Sequence, residues 1–168
     1  MKHEYALAFD DIYLCPLTYE TSENYRRLRN HPDVKKWFRS KDEITKTQQK
    51  RWFEKYLNDP NDVMFAIFCE PNEFIGAAAI YNTDDKGHAE YGRIIIDPEY
   101  RGRGFGYKST CAAIKIAREQ MYLQQLVLEV YADNQSAISV YKKCGFIETG
   151  MVYDTCGSPM KLMKIELQ

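Results

Sequence analysis

The stretch Ile94-Ile95-Ile96-Asp97-Pro98-Glu99-Tyr100-Arg101-Gly102-Arg103-Gly104-Phe105-Gly106 constrains this chain more than any other part of it. Three consecutive isoleucines closed by Asp-Pro read as a buried strand that stops at a turn. Glycines at 102, 104 and 106 then lead into Tyr107 to Gln120, where Ala112, Ala113, Ile116 and Ala117 recur at helical spacing. A strand, a glycine loop and a helix in that order leave backbone N–H groups without intrahelical partners at a helix N-terminus, where the macrodipole adds partial positive charge. Glycine lets the main chain approach a diphosphate without side-chain obstruction. Arg101, Arg103 and Lys108 are candidates for countercharge. The competing reading is a glycine-rich turn that binds nothing.

Two common phosphate-binding motifs do not fit this stretch. No G-K-[ST] follows a four-residue gap, which excludes a nucleotide triphosphatase loop. The run Gly102-Arg103-Gly104-Phe105-Gly106-Tyr107 lacks the third glycine of the dinucleotide fingerprint, and the carboxylate expected about 20 residues later would be Glu119 or Glu129, not clearly at a second strand end.

The chain has 168 residues, 45% of them hydrophobic, enough for a core and for a single domain over 1–168. Its formal net charge of −1 gives no global field toward nucleic acid or an anionic membrane. Cys15, Cys69, Cys111, Cys144 and Cys156 are odd in number and include no C-x-x-C pair, so neither a disulfide framework nor a metal site is expected. Asp10-Asp11 and Pro16 interrupt the N-terminal segment before it can form the apolar centre of a signal peptide. No run of about 18 apolar residues occurs. These features predict a cytoplasmic protein with no membrane partner.

Spacing predicts alternating strands and helices without linker or repeat. Ile12 to Leu17 reads as a first strand. Ser22 is a candidate cap for a helix running toward Asn30, which Pro32 stops, with a helical turn at Asp33 to Phe38. Thr45-Lys46-Thr47-Gln48 has the form of a capping box and opens a helix through Trp52, Phe53, Tyr56 and Leu57. Met64 to Cys69, Phe74 to Tyr81 and Ala89 to Ile96 form a meander, Leu126 to Tyr131 alternates as a strand, and Ser136 to Lys143 is a helix closed by Cys144-Gly145. Strands at Phe146 to Tyr153 and Met160 to Leu167 complete a mixed α/β (α+β) sheet of about seven strands with helices on its faces.

Arg101-x-x-Gly104-x-Gly106 after a strand ending in Asp97-Pro98 resembles the [QR]-x-x-G-x-[GA] acetyl-CoA loop of the GNAT N-acetyltransferase superfamily. Asn134, Ser136-Ala137-Ile138, Tyr141 and Cys144-Gly145-Phe146 resemble that superfamily's following segment, N-x-x-[SA]-x-x-x-x-Y-x-x-x-G-F. The likeness covers Met64 to Leu167 well and the first 60 residues loosely. It implies a mostly antiparallel sheet with a V-shaped splay between its central strands. The pantetheine arm of acetyl-CoA would lie in that splay, here between Ile94 to Ile96 and Leu128 to Tyr131. The resemblance further implies diphosphate contacts from Arg101, Gly102, Arg103, Gly104, Phe105, Gly106 and Tyr107. Cofactor contacts from Asn134, Ser136 and Tyr141 are implied as well.

Acetyl transfer to an amine needs a neutral nucleophile and a protonated leaving thiol, because an alkyl ammonium titrates near pH ~10.4 and a thiol near ~8.5. Tyr141 matches the family's tyrosine beside the CoA sulfur and is the candidate acid; the alternative is a ring packed on the sheet. Glu129, in a position resembling the glutamate of ribosomal-protein alanine acetyltransferases, and Glu90 are candidate bases, against the alternative of solvated strand carboxylates. His88 and His31 are weaker candidates. The first 60 residues would supply the acceptor side and residues 61–168 the acetyl-CoA core. Arg26, Arg29-Asn30-His31-Pro32 and Trp37-Phe38 resemble the branch containing ribosomal-protein, polyamine and amino-sugar acetyltransferases, while the spacing of Trp52 favours core packing. The expectation is an acetyltransferase acting on a small-molecule amine, as monomer or homodimer. A protein N-terminal acetyltransferase and a non-catalytic acyl-CoA-binding module are the alternatives.

Overall fold

The structure, a computed structural model, describes residues 2–167. In chain order the elements are β1 Leu7–Phe9, β2 Ile12–Pro16, α1 Tyr19–Asn30, α2 Pro32–Lys35, α3 Lys46–Asn58, β3 Asp62–Cys69, β4 Glu73–Tyr81, β5 His88–Ile96, α4 Phe105–Glu119, β6 Gln125–Tyr131, α5 Gln135–Lys143, β7 Ile147–Tyr153 and β8 Pro159–Glu166. The strands form one eight-stranded sheet in the order β1-β2-β3-β4-β5-β6-β8-β7. Every neighbouring pair is antiparallel except β5 and β6. One strand goes beyond the about seven expected. It is β1, a three-residue edge strand paired through Leu7 with Leu14 and Phe9 with Ile12, too short for alternation to show in sequence.

Helices cover both faces. On one, α4 and α5 bury Ala112, Ala113, Ile116 and Ile138 against Leu14, Phe65, Ile67 and Leu128. On the other, Leu28, Val34, Phe53 and Tyr56 of α1, α2 and α3 pack on Met64, Ala66, Ala77 and Ala79. Because both faces are covered, β3 and β4 read as unbroken apolar runs. Among the described residues no helix is long and apolar enough to cross a membrane.

Local capping places the helices. Thr45 and Gln48 form the anticipated box at α3. At α1 the cap is Thr18, not Ser22. The Thr18 hydroxyl accepts from the Thr21 amide at 3.2 Å, and the Thr21 hydroxyl accepts from the Thr18 amide at 2.8 Å. Ser22 lies inside the helix and accepts from the buried Gln49 side chain of α3 at 2.9 Å. The turn after His31 is shorter than predicted: α2 ends at Lys35, and the His31 ring accepts from the Asp33 amide at 3.2 Å.

The sheet opens at its centre. β5 and β6 pair only at His88 with Gln125, Ala89 with Leu126 and Glu90 with Val127. Beyond Glu90, β5 follows β4 while β6 follows β8, so the two parallel strands part toward their C-terminal ends. A bulge lies just past the vertex: Ala79 faces Gly92 and Ala77 faces Ile95, leaving Arg93 and Ile94 together opposite Ala78. Arg93 sits there in the left-handed region at φ 50°. The extra residue reverses the alternation, so Ala89, Tyr91, Ile94 and Ile96 pack toward α4 and α5 while Ile95 turns to α1 and α3. A Cβ on Gly76 would stand 2.0 Å from the Ile95 carbonyl oxygen, so the strands approach this closely because residue 76 is glycine.

Candidate active site

The loop after β5 is an open backbone cradle. Asp97 caps a single helical turn at Pro98–Tyr100, its carboxylate accepting from the Glu99 amide at 2.9 Å. Gly102 and Gly104 hold φ of 76° and 79°, and nothing lies within 4 Å of where a Cβ would project from either. Gly104 caps α4 without a side chain. The amides from Gly102 to Tyr107 donate to no acceptor among the described residues, and Lys108 is the first to bond back, to the Gly104 carbonyl at 3.0 Å. The Phe105 ring is buried against the core and tilts on Tyr100 at 6.3 Å, tethering the loop while its amide stays outward in the unpaired series. Unpaired amides, a helix N-terminus and no obstructing side chain fit a diphosphate.

The expected countercharge is only partly there. Arg103 donates to the Glu99 carbonyl at 3.3 Å and lies over the Tyr100 ring at 5.2 Å, while Arg101 donates to the Asp33 carbonyl at 3.4 Å. Lys108 turns away to Asp10 and Asp11, at 2.8 and 2.7 Å. These carboxylates hold its pKa above the usual lysine value. Tyr107 is exposed. No group of His, Cys, Asp and Glu able to hold a metal occurs among the described residues.

Tyr141 reaches the parted strands from the α4/α5 side. It is 7% exposed and meets the rings of Tyr91 and Phe146 edge-on at 6.3 and 5.9 Å. Burial, with smaller contributions from Tyr81 and Cys144, raises its pKa well above that of an ordinary tyrosine, so the hydroxyl keeps its proton. The Asn134 side-chain oxygen accepts from the Ala137 amide at 3.2 Å and caps α5; its NH₂ group remains as the donor. Ser136 is exposed on the first turn. Where α4 meets α5, the thiols of Cys111 and Cys144 lie 3.6 Å apart, and all five cysteines are free.

The opposite face carries the carboxylates. Leu126, Leu128 and Val130 pack toward α4 and α5, so alternation directs Glu129 to the α1/α3 side. Glu129 pairs with Arg39 from the segment after α2, and Lys41 of the same segment lies over the Tyr131 ring at 5.7 Å. Arg29, buried in α1 with no carboxylate partner among the described residues, stacks on Phe38 at 3.7 Å and donates to the Ser40 carbonyl at 3.4 Å, which anchors that segment. Glu90 accepts from the Asn82 side chain at 2.8 Å and stands opposite Tyr81 in the β4/β5 register. Burial, with Glu90 alongside, pushes the Tyr81 hydroxyl up to about 12. Neither Tyr81 nor Arg93 was legible as a site residue. Tyr81 is one of 13 tyrosines, and no motif marks it.

The remaining candidates lie elsewhere. His88 pairs with Asp84 at 3.2 Å in the turn before β5, and His31 is spent on the α2 cap. Trp52 stacks on Tyr56 at 5.5 Å within the α1/α3 packing, and Trp37 is half-buried with Lys36 5.4 Å above its ring.

Comparison with known proteins agrees with this geometry. The profile of the Acetyltransferase (GNAT) domain matches residues 11–147. The spermidine N(1)-acetyltransferase of Escherichia coli K12 is 26% identical over 140 residues, 83% of this chain and 74% of that protein. N-alpha-acetyltransferase 30 of Schizosaccharomyces pombe is 33% identical over 90 residues, 52% of this chain and 59% of that protein. The crystal structure of spermidine N-acetyltransferase from Vibrio cholerae in complex with CoA and spermine superposes with a TM-score of 0.88 at 21% identity, covering 94% of this chain and 96% of that one. With the cradle, the parted strands and the matching profile together, the chain belongs to the GNAT acetyltransferases, enzymes that move an acetyl group from acetyl-CoA to an amine.

Proposed function

We propose that this chain acetylates a primary amine of a polyamine, in the cytoplasm, within one domain whose residues 1–60 form the acceptor side and 61–168 the acetyl-CoA core. The observation that carries the reading is the opening between β5 and β6, with unpaired amides at its mouth, Tyr141 on one face and Glu90 and Glu129 on the other. Acetyl-CoA supplies the acyl group and a thiol leaving group. The amides of Gly102 to Tyr107 hold the diphosphate, and the free amide hydrogens of Asn134 and the hydroxyl of Ser136 add contacts at the start of α5. Ile94 to Ile96 line the arm.

The amine attacks from the α1/α3 face, where a carboxylate takes its proton. Tyr141, held neutral by burial, delivers a proton from the α4/α5 face. The ammonium first gives one proton to the carboxylate, which passes it to solvent. The N–C bond then forms as the thioester C–S bond breaks, and the leaving thiolate takes the Tyr141 proton. The second proton lost from nitrogen replaces it, so amide, free CoA thiol and one released proton result. Glu90 suits the base better than Glu129 because Glu90 has no cation partner among the described residues, whereas Glu129 is neutralised by Arg39. A polycation would still find acidic groups on this face, which the spermidine acetyltransferase likeness supports. The N-alpha-acetyltransferase likeness supports a peptide α-amine as the second reading.

The test is thiol release from acetyl-CoA with spermidine, spermine, amino sugars, amino acids and N-terminal peptides, followed by mass spectrometry of products. Acetylated spermidine or spermine is expected. Acetylated peptide with unmodified polyamines would establish the second reading instead. Acetyl-CoA binding without transfer to any amine would leave a non-catalytic acyl-CoA module.

A further inference from the structure

Arg93 is a long, charged residue in a backbone conformation that L side chains rarely adopt, at the point where the sheet opens. Its guanidinium is held from several sides. It donates to Asp62 on β3 at 2.7 Å, with the Asp62 side chain 10% exposed, touches the Met64 sulfur at 3.8 Å, and lies 4.3 Å over the Tyr81 ring. Lys2 donates to the Asp62 carbonyl from the same side. The Tyr81 hydroxyl in turn rests against Gly92: a Cβ there would stand 2.9 Å from it. The phenol is thus boxed by Arg93 across its ring, Gly92 at its tip and Glu90 beside it.

Resting on the acetyltransferase reading above, we propose that Arg93 is a positioning residue. Clamped by Asp62, it fixes the Tyr81 hydroxyl between the acceptor amine and Glu90, so that Tyr81 relays the amine's proton to that carboxylate. Tyr81 gives its proton to Glu90 and takes one from the ammonium, which leaves a neutral amine, a neutral tyrosine and a protonated Glu90 that discharges to water. The guanidinium, 4.3 Å over the Tyr81 ring, also disfavours a second positive charge beside that phenol, an effect that its Asp62 partner reduces, so the same residue favours the neutral amine. The charged and titratable groups facing this point include Asp62 on β3, Lys2 from the N-terminal segment, Tyr25 on α1, Tyr56 on α3, Glu129 on β6 and Tyr141 on α5.

Arg93→Gly tests the clamp cleanly, because glycine accepts the left-handed conformation and preserves the bulge. Measured on the full chain with spermidine across pH 6 to 10, Arg93→Gly should lower kcat about 10- to 100-fold. The rising limb of its kcat/KM profile should move to higher pH, with acetyl-CoA affinity unchanged. Arg93→Lys should restore the position of that limb by restoring the charge. Tyr81→Phe, which keeps the ring under the guanidinium, should give a similar loss, and the double variant should lose no more than either alone. An Arg93→Gly protein with wild-type kcat and pH profile would overturn the proposal, as would losses that multiply in the double variant. Should Arg93→Gly fail to fold, an unaltered kcat and profile in Tyr81→Phe overturns it by itself. If the wild type transfers no acetyl group to any amine, the functional reading falls too; if it transfers and the variants match it, only the relay falls.

Discussion

Replacing Tyr141 with phenylalanine separates chemistry from packing in a way few substitutions in this protein would. The ring sits edge-on to Tyr91 and Phe146 at 6.3 and 5.9 Å, contacts that phenylalanine keeps. Its hydroxyl donates to no protein acceptor among the described residues, so no folded-state hydrogen bond is lost. Stability should therefore change by no more than about 0.5 kcal/mol, a shift in Tm within about 2 °C for a chain of this size. Positioned proton transfer contributes about 10²- to 10⁴-fold, or about 3 to 5 kcal/mol on the barrier at ~1.4 kcal/mol per tenfold. Thiol release under saturating acetyl-CoA and spermidine reads kcat, and calorimetry with CoA reads cofactor affinity. The expected result is a large fall in kcat with affinity and Tm nearly unchanged. A kcat within two- to threefold of wild type would remove Tyr141 as the acid, because its hydroxyl has no other role that the geometry supplies.

Gly104→Val should weaken CoA binding at least 10-fold, since it adds a branched side chain to the open cradle and strains φ of 79°; unchanged affinity by calorimetry in a folded variant would refute the diphosphate site. Thr18→Ala removes the half of the α1 capping box that the Thr18 hydroxyl makes, leaving the Thr21 hydroxyl on the residue-18 amide, and should cost about 1 kcal/mol in urea unfolding, whereas no loss would mean the helix start is held by tertiary contacts. His3 stacks on Tyr5 at 5.4 Å, and burial lowers its pKa below the usual histidine value. Folding favours its neutral form, so its contribution is fully present above about pH 6.5 and is lost as pH falls through the lowered folded value. His3→Asn should therefore lose less stability than wild type between pH 7.5 and 5, and parallel curves would contradict this.

Local rules found what local rules govern. The T-x-x-Q box at Thr45 needs only four consecutive residues, and the glycine loop needs only backbone freedom and a following helix, so both could be read before any contact was known. The α1 cap could not. Thr18 and Ser22 are both acceptable caps, and the choice was made by Gln49, which draws Ser22 into the α1/α3 contact. Lys108 lies beside the loop in sequence and looked like countercharge, but it pairs with Asp10 and Asp11, which the chain brings back from near its beginning.

The sequence by itself determined the anion cradle and the family, because strand, glycines and helix follow one another in the chain and their chemistry is main-chain chemistry. It also placed Asn134 just before the helix that carries Tyr141, seven residues on. Tertiary structure alone decided what surrounds them. Tyr81 meets Glu90 through strand register, Arg93 reaches Asp62 across β4, which lies between β3 and β5, and Glu129 meets Arg39 of the segment after α2 on the α1/α3 face. Such pairings depend on where strands part and where a bulge reverses alternation, and no local spacing encodes that.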